Sequence, residues 1–203
     1  MQLPYFKYHP DPISTGAIEQ SSKTCESCLQ SRGFIYIGSF YNRNNINDIC
    51  PWCIADGSAV EKFDGSFISK TDIEETIEPE KKSKRNLPDL IKKILGLSSS
   101  KNEKSTIPKW REELFCKTPG FSSFQEETWL SHCQEPCEFH GIATTKDFKM
   151  ISEEEKMRLF ENSSVCDVLL KELQEGKDDR KQDYYFKFAC SKCGEIRILE
   201  DLD

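Results

Sequence analysis

The sequence predicts an α+β protein built from small zinc-stabilised domains, with an N-terminal treble-clef-like finger and a C-terminal helical unit closed by a second zinc knuckle. Three observations support this prediction. The chain has ten cysteines among its 203 residues, and hydrophobic residues make up only 36% of it. Six of those cysteines lie in Cys-x-x-Cys pairs, a spacing typical of zinc ligands. A small apolar core of this kind usually needs cross-links to stay folded.

The composition favours a cytoplasmic protein. No run of residues approaches the roughly 18 apolar residues of a membrane span, and the first residues, MQLPYFKYHPDP, lack the basic and apolar blocks of a signal peptide. In a reducing compartment, cysteines hold metal more often than they form disulfides. The net charge of −7 disfavours nucleic-acid binding and favours a basic protein partner, although solubility alone also explains an acidic chain.

The first predicted zinc site combines the Cys-x-x-Cys pairs of TCESC and CPWC. Twenty-one residues separate the two pairs, close to the roughly 15–20 expected between the halves of a four-thiolate site. Between them, residues 32–38 (RGFIYIG) are typical of a strand, a second strand is predicted within residues 41–49, and a helix is predicted from Ile54. This order of elements is treble-clef-like. The predicted ligands are Cys25, Cys28, Cys50 and Cys53.

The CPWC quartet also suits the reactive dithiol of a thiol redox protein. Such a dithiol usually begins a helix that follows an apolar strand of a βαβ unit. The segment before Cys50 is instead rich in Asn and Asp, and a second pair stands upstream at metal spacing. The sequence therefore favours a metal site over redox chemistry.

The second predicted zinc site joins distant parts of the chain. Residues Tyr184–Ala189 alternate like a strand and lead into CSKCG, where Gly194 suits the tight backbone turn of a knuckle. The segment WLSHCQEPCEFHG offers two further cysteines, with His132 and His140 as alternative ligands. The predicted ligands are Cys133, Cys137, Cys190 and Cys193. The alternative is that the first two of these cysteines are small buried hydrophobes.

The chain divides into three predicted regions. These are an N-terminal zinc-finger unit (1–68), a charged linker with a short amphipathic helix (69–106), and a helical unit with the C-terminal zinc knuckle (107–203). The linker helix is LPDLIKKILGL, and the helices of the last unit are IPKWREELF, FQEETWLSHC, SEEEKMRLFE with a capping box, and VCDVLLKELQEG. Cys116 and Cys166 lie beside apolar residues on such segments, and we expect them in the core.

The order of these segments resembles the CbrC family of small bacterial proteins. The resemblance is carried by LPYFKYHPDPISTGAI, CESC, RGFIYIG, ICPWCIADGSA with KFDGSF, KTPGFSSFQEETWLSHC, CEF and YYFKFACSKCG. These motifs cover residues 3–68 and about 107–194, whereas residues 69–106 are longer and more basic than expected of the family. The resemblance implies that the eight predicted cysteine ligands are those of the family. It supplies no catalytic residue.

Because the family's namesake is described as a colicin tolerance protein, the resemblance implies an intracellular immunity protein that binds and neutralises a bacterial toxin. We therefore expect a non-enzymatic protein whose acidic surface covers a basic toxin domain. The candidate contacts are Glu153–Glu155, Asp178 and Asp179. No Ser-His-Asp order, phosphate loop or HExxH motif appears in the sequence. The alternatives are a zinc-finger nucleic-acid regulator, supported by the basic run Lys81–Arg85 with Lys92 and Lys93, and a thiol redox protein.

Overall fold

The computed structural model describes residues 2–69, 109–124, 127–160 and 181–201. Several predicted features lie outside these residues, namely the linker helix, the helix VCDVLLKELQEG, Cys166, the basic run Lys81–Arg85, and the acidic residues Asp178 and Asp179. Within the described ranges, the protein contains both helices and strands, which confirms the mixed α and β composition. None of the helices in these ranges combines the length and apolar character needed to cross a membrane.

The N-terminal part is a small antiparallel ribbon followed by two short helices. β1 (Ile18–Gln20) pairs with β2 (Phe34–Tyr36), with Glu19 opposite Ile35. β2 lies within the strand predicted over residues 32–38. Helices α1 (Pro51–Ala55) and α2 (Ser58–Phe63) follow. The predicted helix therefore begins at Pro51, before Ile54, because proline fits the first helical position, where no backbone N–H is needed.

The second strand predicted within residues 41–49 is wrong. Only isolated bridges form there, between Tyr36 and Ile49 and between Tyr41 and Ser66, and β1 is the partner of β2. Asn42 explains the difference, since its Oδ1 accepts hydrogen bonds from the backbone N–H groups of Asn44 and Ile46 at 2.9 and 3.0 Å. These bonds curl the backbone and compete with an extended strand.

The C-terminal part is built around an antiparallel sheet. Its elements are α3 (Lys109–Lys117), β3 (Ser131–His132), β4 (Glu135–Pro136), β5 (Glu138–Thr144), α4 (Thr145–Met150), α5 (Glu153–Phe160), β6 (Lys181–Ala189) and β7 (Ile196–Glu200). β3 and β4 form a two-stranded hairpin, and β5, β6 and β7 form a sheet in that order. The turn between β6 and β7 contains Cys190 and Cys193, the third Cys-x-x-Cys pair of the chain.

The helix predicted from FQEETWLSHC is wrong. The described residues of this stretch, 124 and 127–133, contain no helix and lead into β3. Trp129 is fully buried, and its indole Nε1 donates a hydrogen bond to the carbonyl oxygen of Cys137 at 2.8 Å. The tryptophan is thereby fixed against the start of β5, and this tertiary contact overrides the local helical pattern. The described C-terminal part is thus a sheet with helices beside it.

An aromatic core fills the space under the sheet. Phe121 stacks on Phe139 with ring centroids 4.2 Å apart, and Phe188 and Trp129 meet edge to face at 5.7 Å. Offset and edge-to-face contacts are the favoured arrangements of aromatic pairs. This core holds β5 and β6 at a fixed position relative to the segment that leads into β3.

The N-terminal residues pack against the C-terminal sheet. The backbone N–H of Phe139 donates to the carbonyl oxygen of Tyr8 at 2.8 Å, and that of Phe67 donates to Phe115 at 3.0 Å. The Tyr8 side chain belongs to the aromatic core, whereas Phe6 belongs to the core of the N-terminal part. Residues on both sides of the predicted linker are therefore in direct contact.

Candidate metal centres

Four cysteines of the N-terminal part converge on one point, which we call cluster 1. Its members are Cys25, Cys28, Cys50 and Cys53, and their sulfur atoms all lie within 4.8 Å of one another. The Sγ atoms of Cys28 and Cys50 are 3.8 Å apart. Cys28 is partly accessible and the other three are buried. The structure thus brings together the four residues predicted for the first site, in a closed, sulfur-lined position.

Cluster 1 is shaped by a tight turn at its first pair of cysteines. The backbone N–H of Leu29 donates to the carbonyl oxygen of Cys25 at 2.8 Å, and that of Cys25 donates to Gln30 at 2.9 Å. Leu29 has a positive φ of 59°, which turns the chain back after the second cysteine. The backbone N–H of Cys50 also donates to the Sγ of Cys25 at 3.2 Å, so the second pair is bonded to the first.

Side chains outside cluster 1 fix the two halves together. Glu26 Oε1 accepts hydrogen bonds from the backbone N–H groups of Asn47 and Asp48, both at 3.0 Å. Lys62 Nζ, on α2, donates to the carbonyl oxygens of Glu26 and Ser27 at 3.1 and 2.6 Å. The turn, the segment before Cys50 and α2 therefore form one bonded unit around the sulfur atoms.

Hydrogen bonding between thiols and burial shift the pKa values in cluster 1. A hydrogen bond from the Cys50 thiol lowers the pKa of Cys25 to about 4, and the same bond together with burial raises the pKa of Cys50. Burial also raises the pKa of Cys53. The pKa values of Cys25 and Cys50 therefore move in opposite directions, because the two thiols share one hydrogen bond. A divalent cation would stabilise all the thiolates at once.

Three cysteines and one histidine form a second group, which we call cluster 2. Its members are His132, Cys133, Cys190 and Cys193, with ligand atoms again within 4.8 Å of one another. Cys133 Sγ lies 3.8 Å from Cys193 Sγ, and His132 Nδ1 lies 3.3 and 3.2 Å from these two sulfurs. Cys190 is buried, whereas Cys133 and Cys193 are exposed.

His132 and Cys133 lie at the tip of the β3–β4 hairpin, which has a two-residue turn. Ser131 pairs with Pro136 and His132 with Glu135, which leaves Cys133 and Gln134 as the turn. Their φ angles are 52° and 60°. Two central residues with positive φ are typical of a type I′ turn, a position that usually takes Asn and Gly. The turn aims the Cys133 sulfur towards the end of the C-terminal sheet.

The other half of cluster 2 is the turn between β6 and β7. The backbone N–H of Gly194 donates to the carbonyl oxygen of Cys190 at 2.9 Å, and that of Cys190 donates to Glu195 at 2.8 Å. This is the same bonding pattern as around Cys25, and the positive φ of 78° at Gly194 is the turn expected from the sequence. Burial raises the pKa of Cys190, but hydrogen bonds, chiefly from the backbone of Cys193 and the side chain of His132, more than offset it and lower this pKa to about 7.

Cys137, predicted as a ligand, lies elsewhere, and His132 stands in cluster 2 in its place. Cys137 is fully buried in the aromatic core, where its backbone N–H donates to Leu130 at 2.9 Å. The alternative histidine, His140, lies on β5 and faces Glu138, with 3.4 Å between Nε2 and Oε2. The Cys-x-x-x-Cys spacing favoured Cys137, but β4 separates the two cysteines and directs Cys137 inwards.

A cleft of about 640 Å³ opens beside cluster 2. Its walls include His132 and Cys133 on one side and residues of α5 and β7 on the other, namely Ser152, Glu154, Glu155, Arg158, Glu195 and Arg197. Glu155 and Arg197 are buried and bonded to each other. The cleft therefore gives solvent a direct path to Cys133.

Comparison with known proteins assigns a family. The model of UPF0167, described as an uncharacterised protein family, matches residues 3–202. The UPF0167 protein PA1536 of Pseudomonas aeruginosa is 29% identical over 203 residues, covering 99% of this chain and 97% of the relative. UPF0167 proteins Mb2317 of Mycobacterium bovis and MT2352 of Mycobacterium tuberculosis are each 37% identical over 141 residues, covering 69% of this chain and 60% of the relative. No solved structure matches the chain.

These matches correct the prediction of membership in the CbrC family. The family model and the curated relatives all name UPF0167, and none of them gives a link to colicin tolerance. The residues that carried the resemblance are present, but the function drawn from it has no support in the matches.

Proposed function

Since the chain belongs to the UPF0167 family, which supplies no activity, we propose a function from the chain's own residues: it is a zinc protein held together by two structural metal centres, and it acts by binding a partner. The proposal makes cysteine a structural ligand in both clusters. It does not assign a catalytic role to either of them.

The observation that supports zinc most directly is the spacing of the ligand atoms. A zinc ion bound tetrahedrally at about 2.3 Å holds neighbouring sulfurs about 3.8 Å apart, whereas the two sulfurs of a disulfide are about 2.05 Å apart. In the structure, the sulfur atoms of Cys28 and Cys50 are 3.8 Å apart, and those of Cys133 and Cys193 are also 3.8 Å apart. Both clusters therefore have the size of a tetrahedral metal site.

For cluster 1 we propose a closed, treble-clef-like zinc finger. Cys25 and Cys28 lie on the tight turn before β2, Cys50 caps α1, and Cys53 lies in its first turn. Four thiolates with no open coordination position are typical of a structural zinc site. Burial of three of the four cysteines keeps water and competing ligands away from the metal.

For cluster 2 we propose a zinc site with three cysteines and one histidine. The metal would join the tip of the β3–β4 hairpin to the turn between β6 and β7, two parts of the chain about 60 residues apart. Because the β3–β4 hairpin has only two residues in each strand, a short hairpin of this kind has little stability of its own. The metal centre would supply the missing stability.

Partner binding is the less specific part of the proposal. The net charge of −7 becomes more negative when thiolates bind zinc, and such a surface attracts a basic partner. The expectation that this partner is a bacterial toxin domain is now supported only by the charge and stays a prediction. Co-purification of the tagged protein with the products of its neighbouring genes tests it, and the absence of any stoichiometric partner would contradict it.

Metal analysis of matched variants tests the zinc proposal. We expect the protein, purified from zinc-supplemented cells without chelators, to contain two zinc ions per chain. Cys193→Ser should lose about one equivalent, and Cys116→Ser, which changes a cysteine outside both clusters, should keep two. A protein that binds no zinc, or binds only iron in its place, would contradict the proposal. Loss of zinc from Cys116→Ser equal to that from Cys193→Ser would contradict the ligand assignment.

A further inference from the structure

The two clusters differ sharply in their exposure to solvent. In cluster 1, Cys25 and Cys50 are fully buried and the turn that carries Cys28 is covered by the Lys62 side chain. In cluster 2, Cys133 and Cys193 are both exposed, and only Cys190 is buried. A reagent in solution therefore meets the sulfurs of cluster 2 before those of cluster 1.

Cys133 is open to solvent. This residue stands at the tip of the β3–β4 hairpin, lines the cleft of about 640 Å³, and has a left-handed backbone with a φ of 52°. The ammonium group of Lys192 lies beside it, donating to the carbonyl oxygen of Cys133 at 3.1 Å. Exposed cysteines are the ones that an oxidant in solution reaches first.

A second thiol lies within reach of the first. The Sγ of Cys193 is 3.8 Å from the Sγ of Cys133, so the two sulfurs have to approach by less than about 2 Å to reach the length of a disulfide bond. Both are also close to His132 Nδ1, at 3.2 and 3.3 Å. An accessible cysteine with a neighbouring cysteine able to resolve its oxidised form is the arrangement of reversible thiol oxidation sites.

We propose that Cys133 and Cys193 form a reversible modification site for peroxides, at which oxidation joins the two cysteines in a disulfide and releases the metal of cluster 2 alone. This inference rests on the proposed zinc function for the metal release, whereas the choice of cysteines rests on geometry and exposure. Cluster 1 keeps its metal, so the N-terminal finger stays folded while the hairpin is detached from the β6–β7 turn.

The chemistry balances with hydrogen peroxide as the oxidant. The Cys133 thiolate attacks one peroxide oxygen, the O–O bond breaks, and hydroxide leaves, which gives a sulfenic acid at Cys133. The Cys193 thiolate then attacks that sulfur, the S–O bond breaks, and a second hydroxide leaves as the disulfide forms. Two thiolates lose two electrons, hydrogen peroxide gains them, and two protons convert the two hydroxides to water. A dithiol such as dithiothreitol reverses the reaction by thiol–disulfide exchange.

The ligands that remain after oxidation explain the metal release. Only His132 and Cys190 are left of the four ligands of cluster 2, and a zinc site with two protein ligands is far weaker than one with four. The hairpin then lacks its cross-link, and Cys133 and Gln134 are free to leave their strained left-handed conformation.

Graded oxidation of the zinc-loaded protein tests the inference. The full-length chain is treated with increasing hydrogen peroxide, released zinc is followed with a chromogenic chelator, and each cysteine is mapped by differential alkylation and mass spectrometry. We expect one zinc to leave at least about tenfold faster than the other. A Cys133–Cys193 disulfide should appear with the first zinc, while the four cysteines of cluster 1 stay reduced.

Controls separate the modification site from a general effect of oxidation. Cys116→Ser should behave as the unmodified chain, and dithiothreitol with added zinc should restore two bound ions. Simultaneous loss of both ions, earlier oxidation of cluster 1, or a first disulfide that includes Cys190 would overturn the inference. A protein purified without zinc would overturn the proposed zinc function, and the cysteine mapping would still decide between Cys133–Cys193 and any other pair.

Discussion

The Arg197 Nε atom donates a hydrogen bond to Glu155 Oε2 at 3.1 Å, and this pair joins α5 to the last strand of the sheet. Glu155 also accepts hydrogen bonds from Arg158 Nη2 at 2.6 Å and from the backbone N–H of Ile198 at 2.8 Å. Arg197 Nη1 in turn donates to the carbonyl oxygen of Ser131 at 2.7 Å. One buried carboxylate thus connects α5, β7 and, through Arg197, the strand that carries His132 of cluster 2.

Removing this carboxylate should destabilise the protein strongly. We expect Glu155→Gln to lower the free energy of unfolding by about 3 kcal/mol, because it leaves the buried Arg197 guanidinium without its counter-charge. Chemical denaturation followed by circular dichroism measures the change. Glu154→Gln, on the exposed side of the same helix turn, should change stability by less than about 0.5 kcal/mol. Equal effects of the two substitutions would show that the ion pair does not hold α5 to the sheet.

We expect the free energy of unfolding to depend on pH through His9, which is fully buried. Its Nδ1 lies 2.8 Å from the carbonyl oxygen of Pro119 and its Nε2 lies 2.6 Å from Thr15 Oγ1. Since a carbonyl only accepts, Nδ1 carries the proton and Nε2 accepts from the Thr15 hydroxyl. Burial lowers the pKa of His9 to about 4, and the hydrogen bond to Pro119 offsets only part of this.

This lowered pKa makes stability depend on acidity. The unfolded chain takes up a proton at His9 near pH 6.5, whereas the folded protein does so only near pH 4. The stability that neutral His9 contributes to the folded protein is therefore complete above pH 6.5 and is lost as the pH falls towards 4. Between pH 7.5 and pH 5 we expect a loss of about 2 kcal/mol from this residue. His9→Gln should be less stable than the unmodified chain at pH 7.5, and the difference should shrink by about that amount at pH 5. A stability difference between His9→Gln and the unmodified chain that is the same at pH 7.5 and at pH 5 would contradict this role for His9.

The sequence predicted the parts of the molecule that depend on local spacing. A Cys-x-x-Cys pair bends the chain through a few residues, so cluster 1 and the turn at Gly194 could be inferred without knowledge of the rest. The strand at residues 34–36 was also visible in its β-branched and aromatic composition. Its partner, β1, was not predicted. The sequence favoured residues 41–49 as the partner, where the side-chain hydrogen bonds of Asn42 prevent a strand that the composition alone allows.

Cluster 2 depends on contacts between residues that are distant in the sequence. His132 enters cluster 2 because a turn of Cys133 and Gln134, which contains none of the usual turn residues, folds β3 onto β4. The sequence around it shows no turn signal and therefore favoured Cys137, which the packing of Trp129 draws inwards. A two-residue turn built from residues that disfavour it is stabilised by its surroundings, and such positions are hard to predict locally.

The strain in that turn is open to a direct test. Gln134 is exposed, with a φ of 60°, a conformation that costs a residue other than glycine about 1–2 kcal/mol. Gln134→Gly should raise the free energy of unfolding by about 0.5–1 kcal/mol, since glycine relieves this cost but is more flexible when unfolded. Gln134→Val should lower it, because β-branched residues tolerate positive φ poorly. Both changes are measured by thermal denaturation, and a destabilising glycine would contradict the assigned turn.

Gly120 packs closely against residues of the N-terminal part. A Cβ at this buried position would lie 2.5 Å from the carbonyl oxygen of Phe67 and 3.0 Å from the Tyr36 hydroxyl. Gly120→Ala should therefore force the N-terminal part away from the segment before β3 and cost about 1–3 kcal/mol of stability. Ser122→Ala, at a nearby exposed position, is the matched control and should be nearly neutral. An alanine at position 120 that leaves stability unchanged would show that the two halves are less tightly joined.

We propose that two tetrahedral zinc centres hold this fold together. Native mass spectrometry of the intact chain, before and after treatment with a strong zinc chelator, tests it most directly when circular dichroism is recorded on the same samples. We expect two zinc ions on every folded chain, and loss of defined tertiary structure once both are removed. A chain that carries no zinc, or that keeps its native spectrum after complete removal of the metal, would contradict the claim.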